Sequence, residues 1–176
     1  MKIKLLSALI AVAATTGAQY ATASDGNIVF MGTVSQQTCV VDNASRALTI
    51  ALPEVSKDTL RTAGKTAGAT PFEIRVKGCP TDTGTVTAHF EPGVFVDAAT
   101  GRINNTTSPG AAGNVQIQLL NPDMSPIIAG GTDASSKPVA LEGAAASMRY
   151  FARYYAKGTV TPGHVQTAVQ YSVIYN

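Results

Sequence analysis

His164-Val165-Gln166-Thr167-Ala168-Val169-Gln170-Tyr171-Ser172-Val173-Ile174-Tyr175-Asn176 closes the chain and decides how it folds. From Val165 onward the odd positions are Val165, Thr167, Val169, Tyr171, Val173 and Tyr175. The even positions are mostly polar: His164, Gln166, Gln170, Ser172 and Asn176. A period of two with one apolar face is the pattern of a half-buried β-strand. No further strand follows Asn176, so the neighbour this strand needs is expected to come from another molecule.

Working back from that end, strand-like runs recur. They are expected over 28–34, 47–52, 72–76, 86–90, 115–120, 139–141, 148–156 and 165–175. Clusters of Gly, Pro, Asn, Asp and Thr separate them, as at Thr81-Asp82-Thr83-Gly84, 104–113 and Gly130-Gly131-Thr132-Asp133. Short strands with regular turn punctuation indicate an all-β sandwich. The Thr/Ala/Gly-rich run 58–69 reads equally as loop or short helical turn. In 148–156 the even positions Met148, Tyr150, Ala152, Tyr154 and Ala156 are expected to face the core. The odd positions Arg149 and Arg153, followed by Lys157, face out. An aromatic-basic strip for a glycan or nucleic acid is the functional alternative for that strand.

The first residues read as a secretory signal. Lys2 and Lys4 precede an apolar stretch over 5–14 and a small-residue site at Ala21-Thr22-Ala23, so cleavage is expected between Ala23 and Ser24. That stretch is too short to span a bilayer, and no later run approaches about 20 apolar residues. An exported protein without membrane insertion is expected. The whole chain carries 13 Lys+Arg and 11 Asp+Glu. Removing Lys2 and Lys4 leaves 11 against 11, a mature balance of zero. Neither nucleic acid nor an anionic membrane is a partner that this balance supports. The only two cysteines, Cys39 and Cys79, are expected to form a disulfide in an exported chain.

Motifs for chemistry are weak. Asp82-Thr83-Gly84 matches an aspartic-protease tripeptide, but that mechanism needs two carboxylates and the sequence holds one copy. A turn is the reading. Gly64-Lys65-Thr66 lacks the earlier glycine of a phosphate loop, since position 59 is Thr59. No nucleophile-elbow pattern flanks a serine, and His89 and His164 read as surface residues. The sequons at Asn104 and Asn105 place that segment on the surface. No catalytic residue, cofactor or metal site is expected.

Gly26-Asn27-Ile28-Val29-Phe30-Met31-Gly32-Thr33-Val34, then Cys39, is similar to the N-terminal extension and first cysteine of type 1 fimbrial major subunits, structural pilins of the chaperone–usher pathway. Phe72-Glu73-Ile74-Arg75-Val76-Lys77-Gly78-Cys79 resembles their second-cysteine strand, and Asn114-Val115-Gln116-Ile117-Gln118-Leu119 their middle strand. Ala152-Arg153-Tyr154-Tyr155-Ala156-Lys157-Gly158, with Thr161-Pro162-Gly163, resembles their penultimate region. Gly163 is fourteenth from the end and Tyr175 penultimate, as in that family.

The resemblance implies an incomplete immunoglobulin-like sandwich lacking its last strand, completed by donor-strand addition from another molecule. It implies a signal peptide over 1–23, a donor extension over 24–35 and a pilin domain over 36–176. Ile28, Phe30, Gly32 and Val34 would be the donor residues. Gly163, Val169, Tyr171, Val173 and Tyr175 would belong to the acceptor and chaperone-binding strand. The implied partners are a periplasmic chaperone, an outer-membrane usher and neighbouring pilin subunits, with the cell surface as destination. A repeating shaft subunit is the first reading. A minor adaptor or adhesive subunit that binds a host receptor is the alternative.

Overall fold

The computed structural model describes residues 28–32, 39–131 and 135–175. The signal segment, the Ala23/Ser24 cleavage site and Val34 lie outside the described residues. The chain divides into two compact units, Met1–Val34 and Ser35–Asn176. In the first unit the described side chains are exposed, Phe30 by 89% and Met31 by 94%.

In the second unit the elements follow in order: β1 (Val40–Val41), α1 (Asn43–Arg46), a 3₁₀ turn (Lys57–Leu60), β2 (Thr66–Lys77), β3 (Thr85–Phe90), β4 (Ile103–Asn104), β5 (Gly113–Leu120), β6 (Val139–Ala140), β7 (Ala145–Thr161) and β8 (Tyr171–Tyr175). The ladders are antiparallel and form two sheets. One has the order β1-β2-β7-β5-β4, the other β6-β3-β8. The all-β sandwich is therefore observed.

Alternation along β7 explains why it sits centrally. Met148, Tyr150, Ala152 and Ala156 are buried and Tyr154 half-buried, whereas Arg149 and Lys157 are exposed. One face of this strand thus packs into the core, while the other mixes Arg149, Arg153 and Lys157 with half-buried Phe151 and Tyr155. Facing it across the sandwich, β3 supplies Val86, Ala88 and Phe90. Phe72, Phe90 and Tyr150 form an aromatic cluster, with Phe90 and Tyr150 edge to face at 5.4 Å. The Ala88 amide donates to the Tyr150 hydroxyl at 3.3 Å, which satisfies a polar atom in the core and ties one sheet to the other.

Two expected strands come out differently. Residues 47–52 belong to neither sheet, and of 165–175 only Tyr171–Tyr175 joins a ladder. Alternation makes a segment able to pair, but residues 48–52 find no backbone partner among the described residues. Residues 165–170 make only scattered bonds, Gln166 O accepting from Thr106 and Gln170 O from Glu91, too few for a ladder. The run 58–69 resolves into the 3₁₀ turn and the start of β2. The short pieces β1, β4 and α1 carry too few residues for a periodic signal. Asp82-Thr83-Gly84 lies in the β2–β3 turn, where Gly84 takes a φ of +117°. In the segment of the sequons 107–110 are exposed, while the two asparagines themselves are half-buried. The Asn105 amide donates to the Ala112 and His164 carbonyls, and the Asn104 carboxamide accepts from Gln116.

Cys39 and Cys79 are both buried and joined by a disulfide that closes a separation of 40 residues. In the chain-entropy account such a loop contributes about 4 kcal/mol. Cys39→Ser is therefore expected to lower the urea midpoint of the folded chain and its periplasmic yield. An unchanged midpoint would show the crosslink to be dispensable.

Candidate functional site

The side chains that the sequence singles out at the C-terminal end meet one large opening. A cleft of about 1140 Å³ runs between residues 47–52 on one bank and 165–173 on the other. Its floor is the core itself: Phe72 and Ile74 of β2, Phe90 of β3, Ile103 of β4, and Ile117 and Leu119 of β5. The sandwich has an uncovered seam here. Among the residues lining it, Arg46 is the one charged side chain.

The C-terminal bank keeps the alternation of its sequence. Val165, Thr167, Val169, Tyr171, Val173 and Tyr175 are half-buried, and 166, 168, 170, 172 and 174 are exposed. The odd side chains pack on the core yet none is fully buried, because the space across from them is open. β8 pairs with β3 from Val86↔Tyr175 to Phe90↔Tyr171. Among the described residues its other edge has no strand partner. On the opposite bank, no backbone hydrogen bond to residues 48–52 is found among the described residues. Two unpaired edges flank an apolar floor. Such edges are a template for an added strand.

The upper part of the C-terminal bank is held by a loop in place of a sheet. His164 donates its amide to Gly110 O at 3.0 Å, and its carbonyl accepts from the Ala112 amide at 2.9 Å. The Gln166 amide donates to Asn105 Oδ1 at 2.8 Å, and its carbonyl accepts from the Thr106 amide at 3.1 Å. Thr167 Oγ1 donates to Asn104 O at 2.7 Å. The main-chain bonds of this stretch are made at 164 and 166. Gly163 lies where they begin, packed directly against the backbone of 110–112.

At the other end two tyrosines bridge the banks. The Tyr171 hydroxyl donates to Ser45 O at 2.7 Å and the Tyr175 hydroxyl to Cys39 O at 3.2 Å. Burial raises the pKa of both phenols; at Tyr171 the nearby Arg46 charge works against that rise. Both therefore remain protonated donors at neutral pH. Asp42 caps α1 through the Ala44 amide and accepts from Lys77, which holds its carboxyl below the ordinary range. That fixes the corner from which the first bank starts.

Of the residues expected in the acceptor strand, Val169, Tyr171 and Val173 line the cleft, Tyr175 braces its end and Gly163 anchors its start. Ile28, Phe30 and Gly32 belong to the other unit and are exposed. Sequence reading missed the loop 104–112 as a support. Its asparagines and threonines look like ordinary turn residues, and their partners lie about 60 positions away. The described residues contain no group of three or more potential metal ligands, and no helix long and apolar enough to cross a membrane.

Relatives agree with this geometry. The chain is 42% identical to the F17 fimbrial protein of Escherichia coli, over 99% of this chain and 98% of that one. It is 43% identical to the major fimbrial subunit SMF-1 of Stenotrophomonas maltophilia, over 89% and 95%. The minor fimbrial subunit HifD of Haemophilus influenzae is also similar, 35% identical over 99% of this chain and 82% of that one. The crystal structure of the P pilus rod subunit PapA superposes with a TM-score of 0.60 at 18% identity, covering 78% of this chain and 99% of that one. That likeness gives the fold: the incomplete immunoglobulin-like sandwich of chaperone–usher pilins. Residues 52–176 match the family model of the type-1 fimbrial protein, A. An uncovered apolar seam in such a sandwich, with close relatives over nearly its whole length, places the chain in the type-1 fimbrial protein family, whose members are structural pilins of the cell surface and not enzymes.

Proposed function

We propose that the chain is a repeating shaft subunit of a surface pilus and that it polymerises by donor-strand exchange. In this reading the extension over 24–35 of one copy enters the cleft of the pilin domain, 36–176, of another. Ile28, Phe30, Gly32 and Val34 face the floor, and Val169, Tyr171, Val173 and Tyr175 belong to the receiving strand. Before assembly a periplasmic chaperone strand covers the same opening, and an outer-membrane usher exchanges it for the next subunit's extension.

The observation that carries the reading is the cleft with its two unpaired banks. A nine-residue bank such as 165–173 is about 30 Å long, and the seven residues 28–34 extend over about 23 Å. The donor segment therefore fits within it. Burying Ile28, Phe30 and Val34 contributes roughly 1.5–3 kcal/mol each, and ladder hydrogen bonds pair both free edges. Gly32 lacks a Cβ, which permits close approach of the two backbones. A sandwich completed in this way releases its added strand only by opening, so the fibre resists dissociation kinetically.

Deleting residues 26–34 is expected to leave a subunit that is recovered with the chaperone but never joins a preceding subunit. Fibre growth through the deleted copy would overturn the donor assignment. Copy number separates shaft from adaptor: immunogold labelling along the whole fibre is expected, whereas labelling only at a tip would make the chain a minor adaptor or adhesive subunit.

A further inference from the structure

We infer that Arg46 is a specificity determinant of the cleft and recognises the carboxylate of Asp25 on the leading segment of a second copy. This assignment rests on the donor reading above and deepens it.

Arg46 is the one charged side chain along the cleft. Its Nε donates to Val41 O at 3.3 Å, which steadies the stem. Among the described residues its guanidinium enters no ion pair, which is common to several cations of the chain; what sets Arg46 apart is its place on the cleft. A guanidinium has five N–H donors in a planar fork suited to a carboxylate. Arg46 is exposed at the cleft, and among the described residues no acidic side chain pairs with it.

The leading segment has the complementary feature. Residues 24–38 contain a single charged side chain, Asp25, three positions ahead of Ile28. An extended chain covers about 10 Å over those three positions. Asp25 therefore marks one end of the inserted segment, just as Arg46, next to Tyr171 and its bond to Ser45, marks one end of the cleft. Joining the two charges sets the direction of insertion: the segment runs with Asp25 at the Tyr171 end and its later residues toward Val165, antiparallel to that bank. It also opposes slippage, because a one-residue shift would turn the apolar donor face outward. An apolar floor binds any apolar strand; a single charge pair gives it a preferred register.

The test uses full-length chains assembled in the producing cell: unchanged, Asp25→Arg, Arg46→Glu, and the double reversal. Sheared fibres are followed for their dissociation half-time in denaturant, at low salt and in 1 M salt. Each single reversal is expected to shorten the half-time about fivefold, as for an exposed pair turned repulsive. The double reversal is expected to restore it to within about twofold. These differences should vanish in 1 M salt, where the screening length is about 3 Å. Equal half-times for all four fibres, or a double variant no better than the worse single, would overturn the assignment. So would loss of chaperone-bound subunit in Arg46→Glu with Asp25→Arg silent, since Arg46 would then read the chaperone. Phe30→Asp serves as the control for the underlying reading. If that variant polymerises normally, the donor reading itself fails; if it is blocked while the reversals are silent, only the Arg46 assignment fails.

Discussion

Phe30→Asp is expected to abolish fibre growth from the copies that carry it. The wild-type side chain is 89% exposed in the free chain, so the substitution leaves the unassembled subunit folded and its recovery with the chaperone unchanged. Its effect falls on the inserted state. There the variant forfeits the roughly 1.5–3 kcal/mol of a buried phenylalanine and places a carboxylate against the apolar floor of the cleft with no partner, at a cost of several kcal/mol. The sum of about 5 kcal/mol corresponds to more than a thousandfold in the assembly equilibrium. Electron microscopy of sheared fibres, with an immunoblot for chaperone-bound subunit, provides the readout. Phe30→Leu keeps the apolar contact and is expected to assemble. Fibres of normal length from the aspartate variant would refute the donor role of Phe30.

Gly163→Ala carries the second largest expected effect, and it acts on folding. A Cβ at this position would fall within contact distance of the Gly110 carbonyl oxygen and of the Ala111 and Ala112 backbone. Backbone atoms cannot swing aside as a flexible side chain can, so the loop must move as a unit. That movement pulls on the two hydrogen bonds between His164 and residues 110 and 112. The cost is expected at the upper end of overpacking, about 3 kcal/mol. The measurement is the urea midpoint of the chaperone-released chain. A midpoint within error of the parent would show that the loop has room to yield.

Much of the architecture was legible because period-two alternation needs one buried face and nothing else. β2, β3, β5 and β7 each have such a face in the observed core, and Met148, Tyr150, Ala152 and Ala156 are buried as their spacing requires. The disulfide was legible for a different reason: two cysteines in an exported chain have only each other. Residues 47–52 and 165–170 carry strand-like runs and yet join no ladder. The alternation of 165–170 survives as half-buried odd and exposed even positions, but a ladder needs a full second strand and not a few backbone bonds from loops. The roles of Asn104 and Asn105 were hidden because a carboxamide inserted into a backbone network has the same letters as one in a turn.

By itself, the order of residues determined which segments can form strands and which faces of them are apolar. Tertiary structure alone decided that an apolar seam is left uncovered, and where. It brought residues 47–52 opposite 165–173, laid core side chains between them, placed Arg46 at one end and fixed the other with the loop at 104–112. The physical reason is that periodicity is a property of neighbours along the chain, whereas an opening is made by segments more than a hundred residues apart.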